Sequence, residues 1–450
     1  MIRGRAWYGT FAFVLLAAGT LGCTRPGGEE APSPSPTEGR AQPTPEEVES
    51  ALREASERDR QEHAAMSFEE FKASDAVYRE PFDGGKYIVN GDTPLLGEKQ
   101  LLEFFETQVK QAGPGPKPIH EQVEELAVGH VGGLDLAWNQ QMQAALEYCV
   151  SRSGFGARYD AVVRDMEAAA DAWEAVAAIE FVHDAAQDDA CGPTNDQVVF
   201  DVRPVNVGGR YLARAFFPNE PRAERNVLID GSSFDLDPDE RLQLVGILRH
   251  ELGHTLGFRH EHTRPSAGPC FEDDEWRALT EYDPFSVMHY PQCNGEGDWS
   301  LTLTARDNNG AGCLYGPATG FTIDPSLVTS ASCRTPSPTP PGGEATHETF
   351  GDQSVAKGAE NEYGPFAVVP GSLFEATIGD PGASGDPDLY VRFGTRPTKS
   401  MYNCRPYLAT AMETCALDVP ADESRAFVMV RGYAAGTYTL DVKHVAPAEP

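Results

Sequence analysis

Thirteen consecutive residues constrain this chain more than any other stretch: His250-Glu251-Leu252-Gly253-His254-Thr255-Leu256-Gly257-Phe258-Arg259-His260-Glu261-His262. Side chains four apart on a helix share a face, so His250 and His254 point the same way and can grip one ion. Gly257 can take the left-handed conformation that ends a helix and turns the chain back, which brings His260 in from outside as a third nitrogen. Three protein ligands leave a coordination position for water, the arrangement of a catalytic zinc rather than of a closed structural site. Glu251 directly follows the first ligand and is placed to take a proton from that water. The extended string is a zinc hydrolase signature, far more specific than H-E-x-x-H alone.

On these residues the chain resembles the metzincin clan of zinc endopeptidases, whose signature H-E-x-x-H-x-x-G-x-x-H is followed by a Met-containing turn. Ser286-Val287-Met288-His289-Tyr290 is the matching turn. The resemblance implies that Met288 forms an apolar floor beneath the metal-binding histidines. Within the clan both strings look most like astacins, which implies that Tyr290 is a fifth zinc ligand that swings away to hold the oxyanion. A phenol can both ligate a metal and donate a hydrogen bond. The likeness departs after Arg264, where Pro265-Ser266-Ala267 replaces an acidic-basic-acidic triplet, so the astacin role of Glu261 in burying the mature N-terminus stays open. From about residue 68 to residue 317 the chain is similar to secreted bacterial, notably myxobacterial, metzincin-type proteases. His262 and His289 read as groups around the site or on the surface rather than as ligands.

At 450 residues the chain is long enough for two or three units. Its formal charge of −33 argues against nucleic acid or anionic lipid as partners and otherwise serves solubility. Arg3 and Arg5, an apolar run from Trp7 to Leu21, and then Gly22-Cys23 make a signal peptide, too short and wrongly flanked for a spanning helix. Gly19-Thr20-Leu21-Gly22-Cys23 resembles a bacterial lipoprotein cleavage site, with Cys23 taking the lipid; the alternative is a secreted protein cut nearby. Of nine cysteines, eight remain without Cys23, an even number that fits disulfides in an oxidising compartment. Proximity in sequence pairs Cys149 with Cys191, Cys270 with Cys293, Cys313 with Cys333 and Cys404 with Cys415.

The expected organisation is a lipoprotein-type signal peptide over 1–23, a disordered tether over 24–66, and a pro-segment or N-terminal cap over 67–124. The protease domain takes 125–334, a Pro-rich linker 335–345, and a β-sandwich 346–450. In the cap, Tyr87-Ile88-Val89 reads as extended and Glu98 to Gln111 as a helix. Val89-Asn90-Gly91-Asp92 resembles the Phe-x-Gly-Asp element of astacin pro-segments, with Val89 in place of Phe, which implies that Asp92 ligates the zinc and enforces latency. Asn-Gly-Asp is equally an ordinary turn.

In the protease domain, Tyr159, Val162, Val163, Met166, Ala170, Trp173 and Val176 follow helical spacing and make one long amphipathic helix. Strands are expected over 146–150, 179–183, 198–202, 212–217 and 226–230. The 212–217 segment resembles the edge strand to which metzincins add an extended substrate. The pair Asp237-Pro238 predicts the start of the active-site helix, with Asp237 as N-cap. A last helix is expected over 305–315. The fold class is thus α+β, a twisted mixed sheet plus an active-site helix, followed by a small all-β sandwich.

Beyond the linker, Asp386-Pro387-Asp388-Leu389-Tyr390-Val391-Arg392-Phe393-Gly394 resembles the bacterial pre-peptidase C-terminal domain, a β-sandwich appended to secreted proteases and sometimes associated with calcium. Asp380, Asp386 and Asp388 could supply carboxylates to Ca2+, or be simply solvated. Together these features imply an exported zinc endopeptidase, extracellular or anchored to the outer membrane, monomeric and acting on protein or peptide substrates. The alternatives are a surface adhesin that uses the protease fold as scaffold, and a zinc amidase acting on cell-wall material.

Overall fold

The computed structural model describes residues 61–110, 126–131, 134–264, 276–290, 293, 295–329, 333, 343–420 and 422–448. The expected signal peptide with Cys23, residues 24–60, Pro265-Ser266-Ala267, Cys270 and linker residues 335–342 lie outside them.

A five-stranded sheet forms the centre, in the order Phe181–His183, Leu146–Val150, Phe200–Val205, Asn226–Asp230, Ala213–Arg214. The first four run parallel and the edge strand Ala213–Arg214 runs antiparallel. Parallel strands have both faces covered, and Asn226–Asp230 is accordingly buried at every residue. The helix Tyr159–Glu174 buries Val162, Met166, Ala169, Ala170 and Trp173, the three- and four-residue spacing of an apolar stripe. Trp173 shares one core with Leu248, Leu252, Phe258 and Met288, which seats the helix Leu244–Thr255 against it. Mixed helix and sheet is therefore the architecture, as the sequence predicts.

The helix Leu244–Thr255, which carries His250 and His254, starts later than its sequence signals suggest. Its N-cap is Gln243, not Asp237. Asp237 caps a turn instead, its carboxylate accepting the Asp239 N–H while Glu240 N–H closes onto the Asp237 carbonyl. The helix Ala305–Tyr315 is capped by Thr304 and Asp307 in reciprocal fashion.

Residues 61–110 build a separate block over the central domain. Three short antiparallel strands, Tyr78–Arg79, Tyr87–Val89 and Thr93–Leu95, lie with the helices Phe68–Lys72 and Glu98–Phe104 around Phe71, Leu101 and Phe105. The helix expected to reach Gln111 widens into a π turn at Phe105–Val109. Residues 61–65, expected in the tether, are helical.

The C-terminal unit has two antiparallel sheets. One contains Gly343–Val355, Gly436–Pro447, Leu373–Ser384 and Glu413–Asp418; the other contains Glu360–Ala367, Arg425–Gly432 and Pro387–Phe393. Phe374, Leu389, Val428 and Leu440 form a core between them. The first strand begins at Gly343, inside the expected linker. Disulfides join Cys149 to Cys191, Cys313 to Cys333 and Cys404 to Cys415, the expected pairs. Cys293 is also disulfide-bonded, and its expected partner Cys270 lies outside the described residues. Among the described residues no helix is long and apolar enough to cross a membrane.

Candidate metal centre

Gly257, at φ +87°, ends the turn after the helix Leu244–Thr255 and sends the chain back so that His260 joins His250 and His254. No side chain fits there. The backbone is left-handed, and an added Cβ would stand 1.6 Å from the Leu136 carbonyl oxygen. The His254 Nε2 lies 3.2 Å from the Nε2 of both His250 and His260. Nitrogens sharing one tetrahedral zinc at ~2.0–2.1 Å stand roughly 3.3 Å apart, so the spacing suits a single ion. The Nδ1 atoms of His250 and His254 donate to the Val287 and Phe258 carbonyls, each at 2.8 Å, which leaves the Nε2 lone pairs free to converge. Burial, then the neighbouring imidazoles, holds His254 well below the usual histidine range, in the neutral form a metal requires.

Asp92 enters this cluster from the N-terminal block. Asn90 at φ +51° and Gly91 at φ +96° make a left-handed turn that presents it. Its Oδ1 is 3.2 Å from His260 Nε2 and its Oδ2 is 3.6 Å from His250 Nε2. The Tyr290 hydroxyl donates to Oδ2. The ligand atoms of Asp92, His250, His254 and His260 all lie within 4.8 Å of one another, and all four residues are buried. Burial by itself would raise the Asp92 carboxyl, but His260 and His250 hold it well below the ordinary range. Asp92 Oδ1 has no hydrogen-bond partner, and neither has Glu251 Oε2. Buried oxygens left without donors beside three imidazoles are what a cation would satisfy. Burial and then the Asp92 charge push Glu251 well above the usual carboxylate range.

Residues that the sequence reading passed over hold the cluster in place. An added Cβ on Gly253 would stand 2.3 Å from the Met288 sulfur, so the glycine is what lets Met288 pack directly against the histidine helix. Asp307 accepts from Ser286 Oγ at 2.6 Å and Val287 N–H at 2.9 Å, pinning the turn whose Val287 carbonyl orients His250. Thr304-x-x-Asp307 has capping-box spacing, a legible signal for half of that role. His262 Nδ1 accepts the Tyr290 N–H, and His289 Nε2 is 2.8 Å from the Tyr282 hydroxyl; both rings flank the cluster. Glu261 is buried, accepts from the Ala127 and Asp283 N–H groups and pairs with Arg264. Burial pushes it up to about 8.

The block also covers the sheet edge. Glu80 makes two hydrogen bonds to Arg214 of the edge strand, at 2.6 and 3.0 Å, and accepts from Tyr211. Lys86 pairs with Glu220. Asp386 and Asp388, which the sequence leaves as calcium ligands or solvated acids, face a different cation: the Lys99 ammonium donates to both. The side chain of Asp380 lies outside the described ones.

Residues 137–271 match the family model of matrixin, a metzincin-clan peptidase. The chain is also 33% identical over 165 residues to a zinc metalloprotease of Helicobacter pylori, covering 35% of this chain and 60% of that protein. It is 35% identical over 105 residues to a neutral protease of Vibrio proteolyticus, 23% of this chain and 16% of that one. An alkaline serine exoprotease A of Vibrio alginolyticus is 34% identical over 102 residues, 22% of this chain and 18% of that one. The central domain is similar to metzincin-type zinc proteases. Each alignment spans less than two thirds of the relative's own length. Three imidazoles converging within reach of one another, with the Asp92 carboxylate of the N-terminal block beside them, are a donor set that suits zinc.

Proposed function

We propose that the chain is an exported zinc endopeptidase that hydrolyses peptide bonds, in an astacin-like variant of the metzincin scheme. The observation that carries this reading is the meeting of three imidazole Nε2 atoms with Asp92 in one buried cluster, beside the unpartnered carboxylate oxygen of Glu251. His250, His254 and His260 hold the metal. Zinc at this place would polarise the scissile carbonyl and bring the pKa of water towards neutrality. Glu251 takes the proton of the attacking water and delivers it to the departing amine. Tyr290, freed from Asp92, donates its hydroxyl to the carbonyl oxygen as charge develops. The edge strand Ala213–Arg214 receives the substrate as an added strand.

In this reading residues 67–124 are a pro-segment. Asp92 occupies the place of the water, and Glu80 covers the substrate edge, so the full chain is latent. The C-terminal unit is read as a pre-peptidase C-terminal-like sandwich. Stretches of 105 and 102 residues shared with a neutral protease and an alkaline serine exoprotease are of the size of this unit and support such an appended module. Cys23 is read as the lipid anchor of an outer-membrane or extracellular protein.

The test uses the chain after removal of the block, with metal content and cleavage of a peptide library measured together. One zinc per chain, cleavage abolished by a chelator and restored by zinc, and an inactive but zinc-loaded Glu251→Ala are expected. Zinc without any peptide cleavage would instead favour the adhesin or amidase readings.

A further inference from the structure

We propose that the C-terminal unit carries a recognition site for a lysine side chain, filled in this chain by Lys99 of the N-terminal block. An ammonium has three N–H donors and no acceptor. Lys99 Nζ finds three acceptors: Asp386 Oδ1 at 3.0 Å, Asp388 Oδ1, and the Leu408 carbonyl at 3.0 Å. Two aromatic faces complete the enclosure, the Tyr407 ring centroid at 4.3 Å and that of Tyr433 at 4.4 Å, where ring quadrupoles attract a cation. Lys99 is 7% exposed and Asp388 is wholly buried.

The site is built by the C-terminal unit alone. Asp386 and Asp388 stand at the start of the strand Pro387–Phe393, Leu408 and Tyr407 in the loop after Cys404, and Tyr433 in the turn after Arg425–Gly432. Glu413 ties the first two pieces together, accepting the Leu389 N–H at 2.6 Å and the Leu408 N–H at 2.5 Å. The Asp386 carbonyl ties in the third, accepting from the Tyr433 N–H at 2.9 Å and the Ala434 N–H at 3.1 Å. Asp388 Oδ2, fully buried, has no hydrogen-bond partner. A buried carboxylate is costly unless a cation sits beside it, and Lys99, with Arg405 further off, supplies that charge. Burial, which Lys99 only partly offsets, holds Asp388 at about 6. Calcium is a poor fit to the same cage, because two rings stand where hard oxygen ligands are needed.

Chemical rescue tests the site in the full-length chain. Lys99→Ala deletes the atoms of n-propylammonium, and that ion should raise the lowered Tm of this variant, as ligand binding to the folded state must. It should not raise that of the wild type or of Lys99→Ala/Asp388→Asn. Tetramethylammonium at equal ionic strength, which cannot donate, should be inert. No selective rescue overturns the proposal. Should Lys99→Ala fail to fold, Lys99→Met keeps the stem packed. Amide exchange over Glu98–Phe104 should then quicken by roughly a hundredfold, as for a broken buried pair. Adding Asp388→Asn to Lys99→Met should quicken it no further, and independent effects of the two changes would refute the pairing. Neither readout uses metal or peptide, so its outcome stands apart from the protease reading.

Discussion

The N-terminal block plugs two buried clusters of different chemistry with two side chains seven positions apart. Asp92 enters a cage of imidazoles in the central domain, and Lys99 enters a cage of carboxylates in the C-terminal unit. The two cages differ in how they are made. The imidazole cage comes from one helix and the bend behind it, so its parts are neighbours in sequence. The ammonium cage gathers residues from 386 to 433 and closes on Lys99, 287 to 309 positions before the groups it bonds. Local geometry made the first readable, and nothing local announces the second.

The largest effect should fall on the first cage. Glu251→Ala removes a general base and should lower peptide cleavage by the processed chain by ~10²–10⁴ while zinc stays bound. Zinc loss in that variant would mean that the carboxylate helps hold the metal, and the division of labour drawn here would break. Asp92→Ala addresses the plug. Cleavage by the unprocessed chain should rise, on the order of a hundredfold if latency depends on one occupied position. An unchanged precursor would leave the imidazole cage without a functional plug and make the ammonium cage the more consequential of the two.

A third contact separates plugging from mere attachment. Glu80 and Arg214 are both almost fully buried and bond through two oxygens. Glu80→Gln leaves the Arg214 charge without its partner and should cost about 3–5 kcal/mol, read as a lower urea midpoint of the full chain. The pair also sets a sign with pH. Burial would raise the Glu80 carboxyl, but Arg214 holds it below its ordinary value of 4.5. Its stabilisation is therefore complete above that value and is lost as pH falls through the lower folded value. Glu80→Gln should flatten this acid limb. A limb of unchanged slope would assign the acid sensitivity to other carboxylates.

How far the sequence could be read follows the same division. The helical stripe of Val162, Met166 and Trp173, the reversal at Gly257 and the Met288 turn are set by short-range spacing, and each appears where the spacing puts it. Asp237 misled because Asp-Pro initiates turns as readily as helices, and the turn won. Acids in a loop such as Asp386 and Asp388 suit calcium or water equally in the sequence, and the cation beside them is a lysine from another part of the chain. Gly253 and Asp307 escaped notice because their importance lies in what packs on them from elsewhere.

Asp307 offers the smaller test, since it supports the imidazole cage without touching it. Its carboxylate fixes Ser286 and Val287, and the Val287 carbonyl in turn holds His250 Nδ1. Groups that orient a ligand typically contribute 10–100-fold to metal affinity, so Asp307→Ala should weaken zinc binding by about that factor. The same carboxylate caps the helix Ala305–Tyr315 together with Thr304. Thr304→Ala should therefore cost only about 1 kcal/mol of stability and leave zinc affinity alone. Equal losses of zinc affinity in both variants would show that the cap acts through the helix as a whole, and the line from Asp307 through Val287 to His250 would lose its meaning.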